Sequence, residues 1–60
     1  MDSREIICRL EAEEWGLAQV EGSHHQFKHP ERSGRMTVKH PDSDIPAGTL
    51  GSIEKQAGWR

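Results

Sequence analysis

Residues 22–27, which read GSHHQF, are the part of this 60-residue chain best suited to chemistry on a phosphodiester. Gly22 and Ser23 offer backbone N–H groups and a hydroxyl at a turn, which are suited to holding a phosphate. An imidazole can accept or donate a proton near neutral pH. Beside an RNA strand, a histidine could deprotonate a ribose 2′-hydroxyl or protonate the leaving 5′-oxygen. The residues alone also allow that these histidines are ordinary surface groups on a strand.

A metal site is the other chemistry that the histidines suggest, since His25 and His29 are four positions apart. That spacing brings two ligands together on a helix, but the alternating pattern and Pro30 indicate a strand. On a strand the two residues are about 13 Å apart. No cysteine or carboxylate nearby completes a tetrahedral zinc site, so we predict no metal. Cys8, the single cysteine, is predicted to be unreactive.

Charge is segregated along the chain. Residues 1–21 carry two arginines against six carboxylates, residues 22–41 carry four basic side chains against one carboxylate, and residues 42–60 have a net charge of −1. All four histidines also fall in the basic middle segment. This pattern is typical of an anion-binding face on an otherwise acidic domain, although a solvated, loop-rich centre would have the same composition.

Helix signals lie at both ends of the chain. Apolar residues at helical spacing predict a first helix over residues 3–14, with Ser3 as the N-cap and Gly16 as the terminator. A second helix is predicted to begin at Pro46, which suits the first helical position. Its core-facing positions are Leu50, Ile53 and Ala57, and Gly58 follows as a left-handed C′ residue.

Between the helices the period changes to that of strands. We predict strands over 17–20, 24–29 and 35–39, a turn at 21–23, and a hairpin loop at 30–34. The fold class is therefore α+β, with the order α-β-β-β-α, a three-stranded antiparallel sheet and both helices on one face.

Alternation along the strands assigns side chains to the two faces of this sheet. With Phe27 in the core, His24, Gln26 and Lys28 point to the open face. With Met36 and Val38 in the core, so do Arg35, Thr37 and Lys39. The open face is then polar and basic and carries one histidine.

Length and composition limit what the chain can be. Sixty residues allow one domain, over residues 1–60, and exclude large catalytic clefts and nucleotide-cofactor folds. No apolar run is long enough to span a membrane and no leader opens the chain. With a single cysteine, no internal disulfide can form. We therefore expect a small cytoplasmic protein without a cofactor.

Three blocks of the sequence resemble the HicA family of toxins, the mRNA interferases of HicA–HicB type II toxin–antitoxin systems. They are GSHHQFKHP at 22–30, TVKHP at 37–41, and DIPAGTL at 44–50 followed by SI at 52–53 and KQAG at 55–58. The resemblance covers residues 3–58. It implies a double-stranded-RNA-binding-domain-like fold, in agreement with the order of elements.

The resemblance also implies roles for particular residues. His24 matches the family's catalytic histidine, which cleaves RNA without a metal ion, and Gly22 matches the glycine that precedes it. A HicB-type antitoxin is expected to bind the toxin and cover His24. Two positions depart from the family pattern: Glu14 stands where glycine is common, and Lys39 where proline is common.

These observations predict an endoribonuclease toxin that cleaves mRNA. His24 is the candidate catalytic residue, and the candidate RNA-binding residues are Gly22, Ser23, Lys28, Arg35 and Lys39. A second acid–base group is needed, and His40, a lysine or a water could serve. The alternatives are a non-catalytic RNA-binding module of the same fold and a cleavage-dead relic kept as a partner for the antitoxin.

Overall fold

The computed structural model describes residues 1–59, so the predicted domain end at residue 60 lies outside the described part of the chain. The five elements are α1 (Ser3–Ala12), β1 (Gly16–Glu21), β2 (His24–His29), β3 (Arg32–Lys39) and α2 (Ala47–Ala57). The predicted order α-β-β-β-α is confirmed. Within the described residues, neither helix is long and apolar enough to cross a membrane.

The helix α1 begins at Ser3, the first residue of the predicted range, but its N-cap is Asp2 and not Ser3. The Asp2 carboxylate accepts a hydrogen bond from the Arg4 N–H at 2.8 Å, and the Glu5 carboxylate accepts one from the Asp2 N–H at 3.4 Å. This reciprocal capping box satisfies two N–H groups that the helix leaves unpaired. The bond from the Arg4 guanidinium holds the pKa of Asp2 below its ordinary value.

The end of α1 also differs from the prediction, since the helix stops at Ala12 and Gly16 begins β1. The Trp15 N–H donates to the Leu10 carbonyl at 2.9 Å and the Glu14 N–H to the Glu11 carbonyl at 3.1 Å. This pair of bonds is a Schellman motif, which requires a left-handed residue after the helix. Glu14 supplies it with φ 74°, although it is not a glycine.

The sheet has the strand order β1-β2-β3, and both pairs are antiparallel. The predicted hairpin loop at 30–34 is too long, because a turn at residues 30–31 already leads into β3 at Arg32. The register then shifts between Phe27 and His29, where β3 carries extra residues. Gly34, with φ 81°, lies in this irregular stretch. Residues that suit a loop thus form part of a bulged strand.

One core joins the sheet to both helices, which confirms that the helices share one face. Each residue of this core is at most 4% exposed, and the set consists of Ile6, Leu10, Trp15, Phe27, Met36, Val38, Ile45, Ile53 and Ala57. Pro46 is the N-cap of α2 and not its first helical residue, while Gly58 has the predicted left-handed conformation. Within residues 1–59, neither α1 nor α2 covers the other face of the sheet.

Candidate nucleic-acid interface

The uncovered face of the sheet is formed by alternate side chains of all three strands. Phe27, Met36 and Val38 point into the core, so their neighbours along the strands point away from it. We call this surface the open face, and its residues are Gln19, Glu21, His24, Gln26, Lys28, Arg35, Thr37 and Lys39. All of them are exposed except Gln26, which is half-buried. The predicted orientation of both strand segments is confirmed.

His24 is the first residue of β2 and lies between charged residues of the two neighbouring strands. It is exposed, and it pairs directly with Glu21 of β1 and with Lys39 of β3. Directly opposite residues in antiparallel strands have Cβ atoms about 4.5–5.5 Å apart and project from the same face. Glu21, His24 and Lys39 therefore form a row across one end of the open face, which we call the charged row.

The turn before His24 contains only Gly22 and Ser23. Gly22 has φ 59°, a positive value at the first loop position that matches a type II′ hairpin turn and favours glycine there. A Cβ on Gly22 would meet nothing within 4 Å, so the backbone angle and not space is the constraint. The Ser23 carbonyl accepts a hydrogen bond from the His40 N–H at 2.8 Å, which ties the turn to the end of β3.

Arg35 is held across the open face by amides on the other two strands. Its Nη1 donates to Oε1 of Gln19 at 3.2 Å and to Oε1 of Gln26 at 3.1 Å. Its carbonyl accepts from Nε2 of Gln56 at 2.8 Å, which fastens β3 to α2. A guanidinium in a fixed orientation suits a phosphate, because its planar fork can match two phosphate oxygens.

His25 and His40 lie on the helix side of the sheet, away from His24. Their ring centroids are 5.0 Å apart with the planes nearly perpendicular. His40 Nδ1 is 2.7 Å from Oγ of the fully buried Ser3, and His25 Nδ1 donates to the Ser23 carbonyl at 3.3 Å. His40, which was an open alternative for the second acid–base group, is thus separated from His24 by the sheet.

His29 is fixed by bonds at both of its ring nitrogens. Nδ1 accepts a hydrogen bond from the Glu31 N–H at 3.0 Å, so Nε2 carries the proton that is donated to the Glu13 carbonyl at 3.0 Å. The ring also packs edge-on against Trp15. Among residues 1–59 no group of three histidine, cysteine or acidic side chains is arranged to hold a metal ion.

Glu21 is the member of the charged row that sequence reasoning missed. It was predicted to lie in a turn at 21–23, but β1 continues to Glu21 and the turn contains only Gly22 and Ser23. The Gly-Ser pair was the available signal, because glycine at the first position suits a two-residue turn, and the residues that flank such a turn pair directly and share a face.

An α-β-β-β-α layer with a basic open face defines a small α+β protein of the double-stranded-RNA-binding-domain type. A family model described as HicA toxin of bacterial toxin-antitoxin matches residues 3–59. The chain belongs to this HicA toxin family, as its three sequence blocks predicted. No curated protein matches the chain. Membership makes the protein the toxin of a toxin–antitoxin pair, with an antitoxin as partner and RNA as target.

Proposed function

We propose that this toxin is an endoribonuclease that cleaves mRNA in the cytoplasm without a metal ion, with His24 as a general acid or base. The observation that carries the proposal is the position of His24. It is the one histidine among residues 1–59 that lies on the open face, and it is exposed beside Lys39. The other three histidines are half-buried. Each has a ring nitrogen within hydrogen-bond distance of an oxygen atom of Ser3, Ser23 or Glu13.

RNA is proposed to lie across the open face, with its phosphates bound by Lys28, Arg35 and Lys39. The three cations come from two adjacent strands. Lys39 pairs with His24, and Lys28 and Arg35 lie further along the same surface. Gly22 and Ser23 shape the turn that presents the histidine. Contacts of this kind recognise the backbone and the 2′-hydroxyls more than the base sequence.

The proposed reaction is an attack of the ribose 2′-oxygen on the adjacent phosphorus. A new O–P bond forms, the bond to the 5′-oxygen breaks, one proton leaves the 2′-hydroxyl and one proton joins the 5′-oxygen. The products carry a 2′,3′-cyclic phosphate and a 5′-hydroxyl. His24 moves one of the two protons, and the Lys39 ammonium stabilises negative charge on the non-bridging oxygens.

Inhibition is proposed to come from a HicB-type antitoxin that covers His24. The cations of the open face suit an acidic partner surface. An antitoxin bound there excludes RNA by occupying the same side chains. Its binding also stabilises this small domain by mass action on the folded state.

The test is cleavage of RNA by the purified protein in EDTA, beside the His24→Ala variant. Cleavage by the wild type and a loss of at least about 10²-fold in the variant support the proposal. Binding without cleavage by both proteins overturns it in favour of an RNA-binding module. If the wild type neither binds nor cleaves RNA, the proposal is also overturned, in favour of a cleavage-dead relic kept as a partner for the antitoxin. Cleavage that requires an added divalent ion refutes the metal-independent mechanism.

A further inference from the structure

We infer that Glu21 is the second acid–base group of the site, the general base that takes the proton of the 2′-hydroxyl while His24 protonates the leaving 5′-oxygen. This assignment rests on the proposed function and completes its proton transfers. The observation behind it is the charged row, in which the Glu21 carboxylate and the His24 imidazole project from paired positions of β1 and β2.

The orientation of Glu21 follows from two independent features of β1. The two-residue turn pairs Glu21 with His24, so both side chains project from one face. Two positions earlier, Gln19 accepts a hydrogen bond from Arg35, which is itself on the open face. Alternation from Gln19 then assigns Glu21 to that face and Val20 to the helix side, where it pairs with His25.

Glu21 is the single acid among the eight residues of the open face. A carboxylate there opposes phosphate binding, because it repels the anion that Lys28, Arg35 and Lys39 attract. The position of Glu21 is therefore explained better by a role in the reaction of the bound RNA than by a role in binding the RNA. The ionisable groups that face His24 are Glu21 from β1 and Lys39 from β3, with Arg35 and Lys28 further along the sheet.

The chemistry of the two side chains assigns the roles. An ionised carboxylate has no proton to donate and can only accept one, so Glu21 takes the proton of the 2′-hydroxyl. The proton for the 5′-oxygen then comes from His24 in its imidazolium form. After one turnover Glu21 is protonated and His24 is neutral, and exchange with water restores both. No metal ion or other reactant enters this balance.

The first test is the pH dependence of cleavage by Glu21→Gln, which keeps the shape of the side chain and removes its basicity. We expect kcat to fall by about 10²–10⁴-fold while KM for RNA stays the same or decreases, since a negative charge has been removed. A bell-shaped profile of kcat/KM against pH should lose its acid limb and keep its alkaline limb. Glu11→Gln, an equal change of charge at an exposed position of α1, is the control and should behave as the wild type.

The second test separates the two proton transfers with an RNA that carries sulfur in place of the 5′-oxygen at the scissile bond. A thiolate leaves without protonation, so this substrate needs a base but no acid. We expect it to restore cleavage by His24→Ala and not by Glu21→Gln. A wild-type rate for Glu21→Gln on ordinary RNA, or its rescue by the sulfur substrate, would overturn the role of Glu21. Failure of the proposed function gives a different result, in which the wild type does not cleave or His24→Ala cleaves equally well.

Discussion

His24 and His25 are adjacent in the chain and lie on opposite faces of the sheet. His24 is exposed on the open face, paired with Glu21 and Lys39. The ring of His25 is half-buried on the helix side, 5.0 Å from the ring of His40, and its Nδ1 donates to the Ser23 carbonyl. We therefore expect replacement of His24 to affect the proposed cleavage and replacement of His25 to affect stability.

Replacing each of these two histidines in turn should produce different phenotypes, a loss of stability for His25 and a loss of cleavage for His24. His25→Ala removes a ring contact and a hydrogen bond, and we expect it to lower the free energy of unfolding by about 1–2 kcal/mol. Cleavage per folded molecule should stay within about threefold of the wild type. His24→Ala should lower cleavage by at least about 10²-fold and leave the urea midpoint unchanged. If His24→Ala unfolds as readily as His25→Ala, its loss of activity cannot be assigned to chemistry.

Glu14→Gly should stabilise the protein, because Glu14 has φ 74° in the Schellman motif that ends α1. A left-handed conformation costs an ordinary L-residue roughly 1–2 kcal/mol. Glycine avoids this cost, although it gives the unfolded chain more conformational entropy, which offsets part of the gain. We expect a gain of about 1 kcal/mol in urea unfolding. Glu11→Gly, inside α1, is the matched control and should lose about 1 kcal/mol.

The departure of Glu14 from the family pattern falls at a position whose backbone conformation suits glycine. A position that requires positive φ favours glycine, which is the residue common there in the family. If Glu14→Gly and Glu11→Gly lose stability equally, the conformation of Glu14 does not set the end of α1.

Most of the open face could be predicted from the sequence because the core residues are spaced at the strand period. Phe27, Met36 and Val38 are buried, and burial of these three fixes the direction of the residues beside them in β2 and in the regular part of β3. A register slip by one residue would bury Lys28 and expose Phe27. The spacing of the apolar residues is thus enough to predict that His24 is exposed.

The features that escaped prediction depend on contacts between distant residues or on irregular backbone. His40 is placed by Ser3, which is 37 positions away, and no local pattern records that pairing. Glu14 ends α1 because the N–H of Trp15 reaches the Leu10 carbonyl, while local propensity favoured Gly16. Glu21 was missed because it was assigned to a three-residue turn, whereas β1 includes Glu21 and pairs it with His24. The bulge between Leu17 and Gln19 also interrupts the alternation of β1, so the face of Glu21 could not have been counted from Leu17.

Lys39→Gln should weaken RNA binding in a salt-dependent manner. Each lysine that neutralises a phosphate releases counterions, which contributes about 0.7 to the slope of log K against log salt for a single strand. We therefore expect the slope to decrease by about 0.7, and affinity at low salt to fall more than affinity at high salt. Lys55→Gln, the same change of charge on α2, is the control. RNA affinity that is equal at low and high salt for the wild type would refute binding by the basic open face.

Glu13 should contribute to stability at neutral pH and less in acid. Trp59 Nε1 donates to its Oε1 at 2.9 Å and Arg9 Nε to its Oε2 at 3.2 Å, and these bonds, the first above all, hold the pKa of Glu13 below its ordinary value of 4.5. Because the unfolded chain binds this proton at a higher pH than the folded protein does, the contribution is complete above pH 4.5 and decreases as the pH falls through the lowered pKa. Urea unfolding should show that Glu13→Gln is less stable than the wild type at pH 7 and that the difference narrows towards pH 3. A difference that stays constant over this range would mean that the charge of Glu13 contributes nothing and that only its neutral hydrogen bonds matter.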